Sequence, residues 1–252
     1  MADRAPRKPA KHVVIAGELR EKIYSHALAP GDQVPSEPEI AKRWEVSADT
    51  ARKVLAELAN EGLTEARQGV GTVVRDFMPI RRNATKRLSV EVWGDGVSMW
   101  DIDAPDRPRT VEDLSVDEVQ PPALVAAALD LEEGATAWRR SRRYCVDGEP
   151  VMRAVSYIPA DLASGTPIAE LDTGAGGIYG RLADVGHGPV DFREEIRVRM
   201  PRPQEAEDLA LGPGTPVVII ARYAMDAEGR VVETNEMTLS SAKYILEYAF
   251  KS

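Results

Sequence analysis

The stretch "SEPEIAKRWEVSADTARKVLAEL", residues 36–58, opens two helices eleven positions apart, and no other feature constrains the fold as tightly. Ser36 with Glu39 three positions on has the pattern of a capping box, in which hydroxyl and carboxylate satisfy amides that a helix start leaves free. Pro38 falls in the first turn, where its missing amide costs little. That helix runs to Trp44, and Ser47 then caps a third helix over about residues 48–61, closed by Gly62. Ala51, Val54, Leu55 and Leu58 recur at helical spacing, so one face is held from behind while Asp49, Thr50, Arg52 and Lys53 face outward. Upstream, Val14, Ile15, Leu19, Ile23 and Leu28 mark an amphipathic helix over residues 11–29, broken by "APGDQVP". Downstream, β-prone runs at 63–66 and 72–75 flank the turn "RQGVG", which fits a hairpin. Three helices followed by a two-stranded wing is the order of a winged helix-turn-helix.

A helix that enters a DNA major groove must be rigid behind and small or polar at its N-terminal front. Ser47 and its neighbours can bind a phosphate with the positive end of the helix dipole. Thr50 and Arg52 can reach a phosphate or a base edge, and the arginine fork matches O6 and N7 of guanine. Asp49 is repelled by phosphate unless it accepts from cytosine N4 or orients an arginine. In the turn, Arg67 and Gln68 supply charge and hydrogen bonds, and the glycines let backbone approach DNA closely. Each piece alone has a bland reading, a solvated helix face or an ordinary hairpin; the combination is what is specific. Charge agrees: residues 1–87 hold 16 Lys and Arg against 12 Asp and Glu, and the remainder 16 against 29. Such asymmetry suggests that one part meets a polyanion.

Beyond residue 87 the composition changes. Short β-prone runs, "TAWRRSRRYCV", "EPVMRAVSYIP", "FREEIRVRMP", "PVVIIARYAMD" and "RVVETNEMTL", surround two helices near "PALVAAALDL" and "GGIYGRLADVG". Strands dominate, so an α+β domain on an antiparallel sheet is expected. No apolar run approaches the roughly 18 residues of a membrane span. The basic start "MADRAPRKPAKH" lacks the apolar core of a signal peptide, and the single cysteine, Cys145, has no partner. A reduced, cytoplasmic setting without membrane contact follows as the expectation. Neither a metal nor a cofactor is expected: His12, His26 and His187 sit beside no credible nucleophile or ligand spacing. "GTPIAELDTGAGGIYG" follows no strand–glycine loop–helix order. Glu194 and Glu195, neighbours on a strand, face opposite ways. An enzymatic role is not expected.

"PGDQVPSEPEIAKRWEVSADTARKVLAELANEGLTEARQGVGTVV" resembles the DNA-binding domain of GntR-family bacterial transcription regulators. The resemblance implies phosphate contacts at Ser36 and Ser47 with Glu37 beside them. It places Asp49, Thr50 and Arg52 at the groove and Arg67, Gln68 and Gly69 in the wing. Pro38 and Ala48 stand where the family often has arginine, which shifts weight to Arg52 and the basic arm. The later segments "RRSRRYCVDGEPVMRAVSYIP", "GGIYGRLADVGHGP", "FREEIRVRMP" and "GRVVETNEMTLSSAKYILEYAF" are similar to UTRA, the effector-sensing domain of the HutC branch, whose fold is like chorismate lyase.

That likeness implies an anion held by arginines on the first hairpin strand and by hydroxyls near the linker: Arg140 and Arg142, which share a face, with Thr85 and Ser89. Arg143 points the other way. Tyr179 is retained and Glu233 matches a frequent acidic pocket residue, while Ala154 and Gly177 replace polar ones and Met152 and Met237 add apolar wall. A less polar or larger effector is expected. The domain expectation is a disordered basic arm at 1–10, a winged helix-turn-helix at 11–76, a linker at 77–87 and a UTRA domain at 88–252. The functional expectation is a homodimeric regulator, a repressor by preference, on a near-palindromic operator under small-molecule control. The alternative is an effector-independent or partner-controlled DNA-binding repressor of the plasmid-transfer type.

Overall fold

The computed structural model of the chain describes residues 9–76, 79–94, 102–105 and 107–249. The expected disordered arm therefore lies almost wholly outside the described residues, as does the start of the expected linker. The chain divides into two compact units, residues up to 78 with Gly212–Thr215, and residues 79–211 with 216–252.

In the first unit α1 (Lys11–Tyr24), α2 (Glu37–Arg43) and α3 (Ala48–Asn60) pack around Ile15, Ala16, Leu19, Ile40, Ala51, Val54 and Leu58, all buried. The first helix stops short of the expected residue 29. His26 turns the chain with φ +57°, and the Leu28 amide folds back onto the Lys22 carbonyl, so Leu28 reaches the core without a helical backbone. Ser47 caps α3 by accepting from the Thr50 amide at 3.2 Å. Glu39 reaches back to the Ser36 amide at 2.7 Å, as the box pattern requires. The hairpin pairs β1 (Thr64–Arg67) with β2 (Gly71–Val74) in antiparallel register, Thr64 opposite Val74 and Arg67 opposite Gly71.

The second unit is built on one antiparallel sheet of six strands: β4 (Arg109–Val119), β5 (Ala137–Val146), β6 (Glu149–Pro159), β7 (Asp191–Arg199), β8 (Val217–Met225) and β9 (Val231–Ser240). Their order is β4-β5-β6-β9-β8-β7. Helices α4 (Ala84–Arg87), α5 (Val90–Gly94), α6 (Ala123–Ala128), α7 (Ala160–Ala163), α8 (Gly177–Asp184) and α9 (Pro203–Asp208) connect and cover it. Ile178, Tyr179 and Leu182 of α8 pack with Trp93, Ile158, Ala224 and Val232 in one buried cluster. A second cluster gathers Met152, Ala154, Ile220, Met237 and Leu239 around Ile80 and Tyr244.

The residues read as a linker, 77–87, are largely structure. Strand β3 (Ile80–Asn83) pairs in parallel with β10 (Tyr244–Glu247), and α4 follows directly. Arg82 is completely buried and Arg87 nearly so, the first paired with Glu194 and the second 3.2 Å from Asp103. A basic run reads as solvated when its carboxylate partners lie far away in sequence, which is why the pattern misled. Among the described residues no helix is long and apolar enough to cross a membrane.

Candidate nucleic-acid interface and ligand cavity

The front of α3 is open to solvent. The Arg52 side chain is 67% exposed and meets Glu37 at 3.1 Å, which ties the start of α2 to α3. Asp49, also exposed, pairs with Lys53 at 2.8 Å one turn on and does not orient Arg52. The hydrogen bond and charge of Lys53 hold the Asp49 carboxyl below the usual carboxylate range. Thr50 and Ser47 share a hydroxyl contact at 3.0 Å. Ser36 gives its hydroxyl to Glu39 at 2.6 Å.

At the hairpin tip Arg67 leans on Glu65, and Gln68 and Gly69 are exposed. Gly69 takes φ +76°, a conformation that costs a residue with a Cβ about 1 kcal/mol. Gln33, which the sequence reading passed over, donates to the Val70 carbonyl at 2.6 Å and so pins the tip. Gln33 and Glu37 belong to one short run of chain that touches the wing and α3. Exposed Lys42 and Arg43 add charge, Arg43 lying 4.7 Å over the Trp44 ring.

A cavity of about 320 Å³ opens in the second unit between the sheet and the segment leading into α8. Arg140, Arg142, Tyr179 and Glu233 all line it, together with Met152 and Met237. Their roles differ. Arg140 is buried and spends its guanidinium on the carbonyls of Ile168 (2.6 Å), Glu170 and Leu171 (2.9 Å), bracing the wall. Burial, with the Arg142 charge adding to it, lowers that guanidinium to about 10, so it stays charged at neutral pH. Arg142 donates to the Ser156 hydroxyl at 3.1 Å and keeps a buried Nε without a hydrogen-bond partner among the described residues. Arg143 faces away and pairs with Glu112 and Asp113 of β4.

Thr85 and Ser89 do not line this cavity; they border a separate hollow with Trp93, Phe192, Glu194 and Tyr248. The cause is local. Asn83 caps α4 by accepting from the Lys86 amide, and Thr85 donates to the same Asn83 oxygen at 2.9 Å. Thr85 is thereby turned outward, and it is Arg87 that reaches the cavity. Burial lowers the Arg87 guanidinium to about 10 against the opposing pull of Asp103.

Sequence reasoning missed Arg87, Arg222 and Asn235 on this wall. Arg222 had a signal, a lone cation inside the apolar run "VVIIARYAM". It is buried, donates to the Tyr179 hydroxyl at 3.3 Å and to Glu194 at 2.9 Å, and Tyr179 donates to Glu233 at 2.6 Å. Burial and the Glu233 charge both push the Tyr179 phenol well up. Arg82 grips the other side of Glu194 with bonds of 3.1 and 2.5 Å. Burial works to raise the Glu194 carboxyl, but the two guanidiniums outweigh it and hold it at about 2. A continuous polar path thus joins Glu233 in the cavity to Arg82 on β3.

Elsewhere, His187, Asp226 and Glu228 bring ligand atoms within 4.8 Å of one another, a grouping that their sequence separation hid. Asp226 there is engaged with His187 at 2.7 Å and with the Glu228 and Arg230 amides, holding the β8–β9 turn.

Comparison with known proteins gives two family matches. Residues 11–74 match the gntR family of bacterial regulatory proteins, and residues 107–245 match the UTRA domain. An HTH-type transcriptional regulator of Streptomyces coelicolor is 31% identical, over 98% of this chain and 94% of the relative. The HTH-type transcriptional repressor PhnF of Mycolicibacterium smegmatis is 27% identical, over 92% and 88%. Among solved structures, a GntR-family transcriptional regulator superposes with a TM-score of 0.67 at 26% identity, covering 97% of this chain and 98% of that one.

Proposed function

The chain belongs to the GntR family of bacterial regulatory proteins and carries a UTRA domain, a DNA-binding transcriptional regulator under effector control, and from this we propose its working parts. The reader is the front of α3 with the hairpin tip. Arg52 and Thr50 address base edges, Ser36, Ser47, Arg67, Gln68 and Gly69 address phosphate and the minor groove, and Glu37 and Asp49 hold the cations Arg52 and Lys53 in place. Two copies read one near-palindromic operator, since two-fold proteins meet two-fold sites about one helical turn apart. The chain works in the cytoplasm as a repressor, because a dimer over a promoter blocks polymerase without further contacts; the named repressor among its relatives supports this. It performs no catalysis.

The effector is an anion with an apolar part. What carries this reading is a set of buried polar atoms on the cavity wall that have no hydrogen-bond partner among the described residues: Nε of Arg87, of Arg140 and of Arg142, and Oδ1 of Asn235. Buried polar groups are nearly always satisfied, so such a set favours a ligand that completes it. The guanidiniums suit a carboxylate or phosphate, and Met152 and Met237 suit an apolar body. Arg142, Tyr179 and Glu233 contact it; Arg140 supports the wall, and Thr85 and Ser89 are withdrawn from the contact set. Occupancy is relayed through Tyr179, Arg222 and Glu194 to Arg82 on β3, the strand that follows the reader in sequence. Coupling of about 1–3 kcal/mol is typical of such control.

The test is a calorimetric survey of carboxylated and phosphorylated metabolites, followed by operator binding with each hit. A hit that binds wild type, fails on Arg142→Ala and changes operator affinity supports the reading. A survey in which no anion binds, or one binds without affecting DNA, contradicts it.

A further inference from the structure

We infer that β7 is the strand through which two copies of this chain join, antiparallel, about a two-fold axis at Glu194. The inference deepens the homodimer reading above and rests on it.

The six-stranded sheet has two edges, β4 and β7, and they differ in kind. The β4 edge is spoiled for pairing. It carries a bulge between Glu112 and Ser115, and Asp113 sits at φ +49°. Its charges, Glu112, Asp113, Asp117 and Glu118, are of one sign along most of its length. Bulges and like charges are standard ways to blunt an edge. Strand β7 has neither. It pairs with β8 in unbroken register from Asp191 to Arg199, and among the described residues β8 is its one strand partner. Its exposed flank carries Val190, Ile196 and Val198, which are 59%, 41% and 64% exposed.

The charge sequence of β7 is complementary to its own reverse. One face reads Asp191, Arg193, Glu195, Arg197. With the axis at Glu194, Asp191 meets the second copy's Arg197 and Arg193 meets the second copy's Glu195. The pairs repeat by symmetry, giving four opposite-charge contacts across the strands. On the other face Phe192 meets Ile196 and Val190 meets Val198. Moving the axis to Glu195 sets Arg193 against Arg197 and Glu195 against itself. Moving it to Arg193 sets Asp191 against Glu195 and Arg193 against itself. Opposite charges directly across a strand pair stabilise it and like charges oppose it, so charge selects one register. The two Glu194 carboxylates that meet at the axis are each already neutralised by Arg82 and Arg222. The residue at the axis is thus also the one that links the cavity to β3.

The test uses the full chain, whose natural cysteine is buried. Positions 191 and 197 lie about 20 Å apart along one strand, too far to join within a chain. The double variant Asp191→Cys with Arg197→Cys is expected to form a covalent dimer on mild oxidation, and each single variant is not. Arg193→Glu is expected to weaken dimerisation in sedimentation equilibrium at least tenfold, and Arg193→Glu with Glu195→Arg to restore it. A wild-type chain that dimerises, with an Arg193→Glu variant that dimerises as tightly and a double-cysteine variant that does not cross-link, overturns the β7 pairing while leaving the homodimer standing; the alternating charges then only guard the edge. A wild-type chain that stays monomeric with and without operator overturns both.

Discussion

Arg52 on α3 and Arg222 on β8 put the same guanidinium in two physical regimes. Arg52 is two-thirds exposed and meets one carboxylate at 3.1 Å, a pair that water screens and that contributes little to folding. Arg222 is buried and meets Glu194, Tyr179 and the Met237 sulfur. The first unit spends its stability on an apolar core behind α3 and leaves its polar front free for a partner. The second takes its polar groups inside, where each depends on another far along the chain. A binding surface and a sensing cavity are therefore damaged in different ways: loss at the front costs affinity, and loss in the network costs the fold.

The sharpest way to break that contrast is Glu194→Gln. It removes the shared partner of two buried guanidiniums, and breaking such a pair costs about 3–5 kcal/mol. Calorimetry of the full chain is expected to show the second unit melting well below its wild-type temperature while the reader melts unchanged. Equal loss in both units, or in neither, would remove the distinction. Acid should act on the same contact. The folded Glu194 carboxyl sits at about 2, below its unfolded range near 4.3, so the unfolded chain binds the proton more readily. Its contribution is complete above about pH 5 and is lost as pH falls toward 2. The stability gap between wild type and Glu194→Gln should close over that window, which urea titrations at stepped pH would follow.

Smaller effects sharpen the comparison. Arg142→Ala is expected to remove anion binding while lowering stability less than Glu194→Gln does, because Arg142 has one modest bond to Ser156. Titration calorimetry and thermal shift on the same sample separate the two effects. Ser47→Ala removes the α3 cap and should cost about 1 kcal/mol, confined to the reader. A cost spread into the sheet unit would mean that the units do not melt separately.

How much could be read from sequence follows the same division. The caps at Ser36 and Ser47, the α3 period and the hairpin at Gly69 are local signals, each contained in a few residues, and the structure keeps all of them. The strands β5, β6, β8 and β9 showed through their apolar runs. Strand β4 did not, because an edge strand with acidic residues has no apolar alternation to display. Strands β3 and β10 escaped because four-residue strands hold too little pattern. The polar interior was the least legible part. Arg82 and Arg87 looked like linker cations because Glu194 and Asp103 lie elsewhere in sequence, and Thr85 was aimed at the cavity until the Asn83 cap turned it outward. Arg140, expected to hold the effector, lines the wall, but the carbonyls that occupy its guanidinium belong to a segment some thirty residues away.

The account stands or falls on α3 as the element that reads DNA. Duplexes selected from a random pool by the full chain, then titrated at one salt concentration with wild type and Arg52→Ala, test this directly. The expected result is a loss of about 1–3 kcal/mol on the selected site with relaxed sequence preference and an unchanged melting temperature. Equal affinity of both proteins for the selected site, with preference intact, would contradict it.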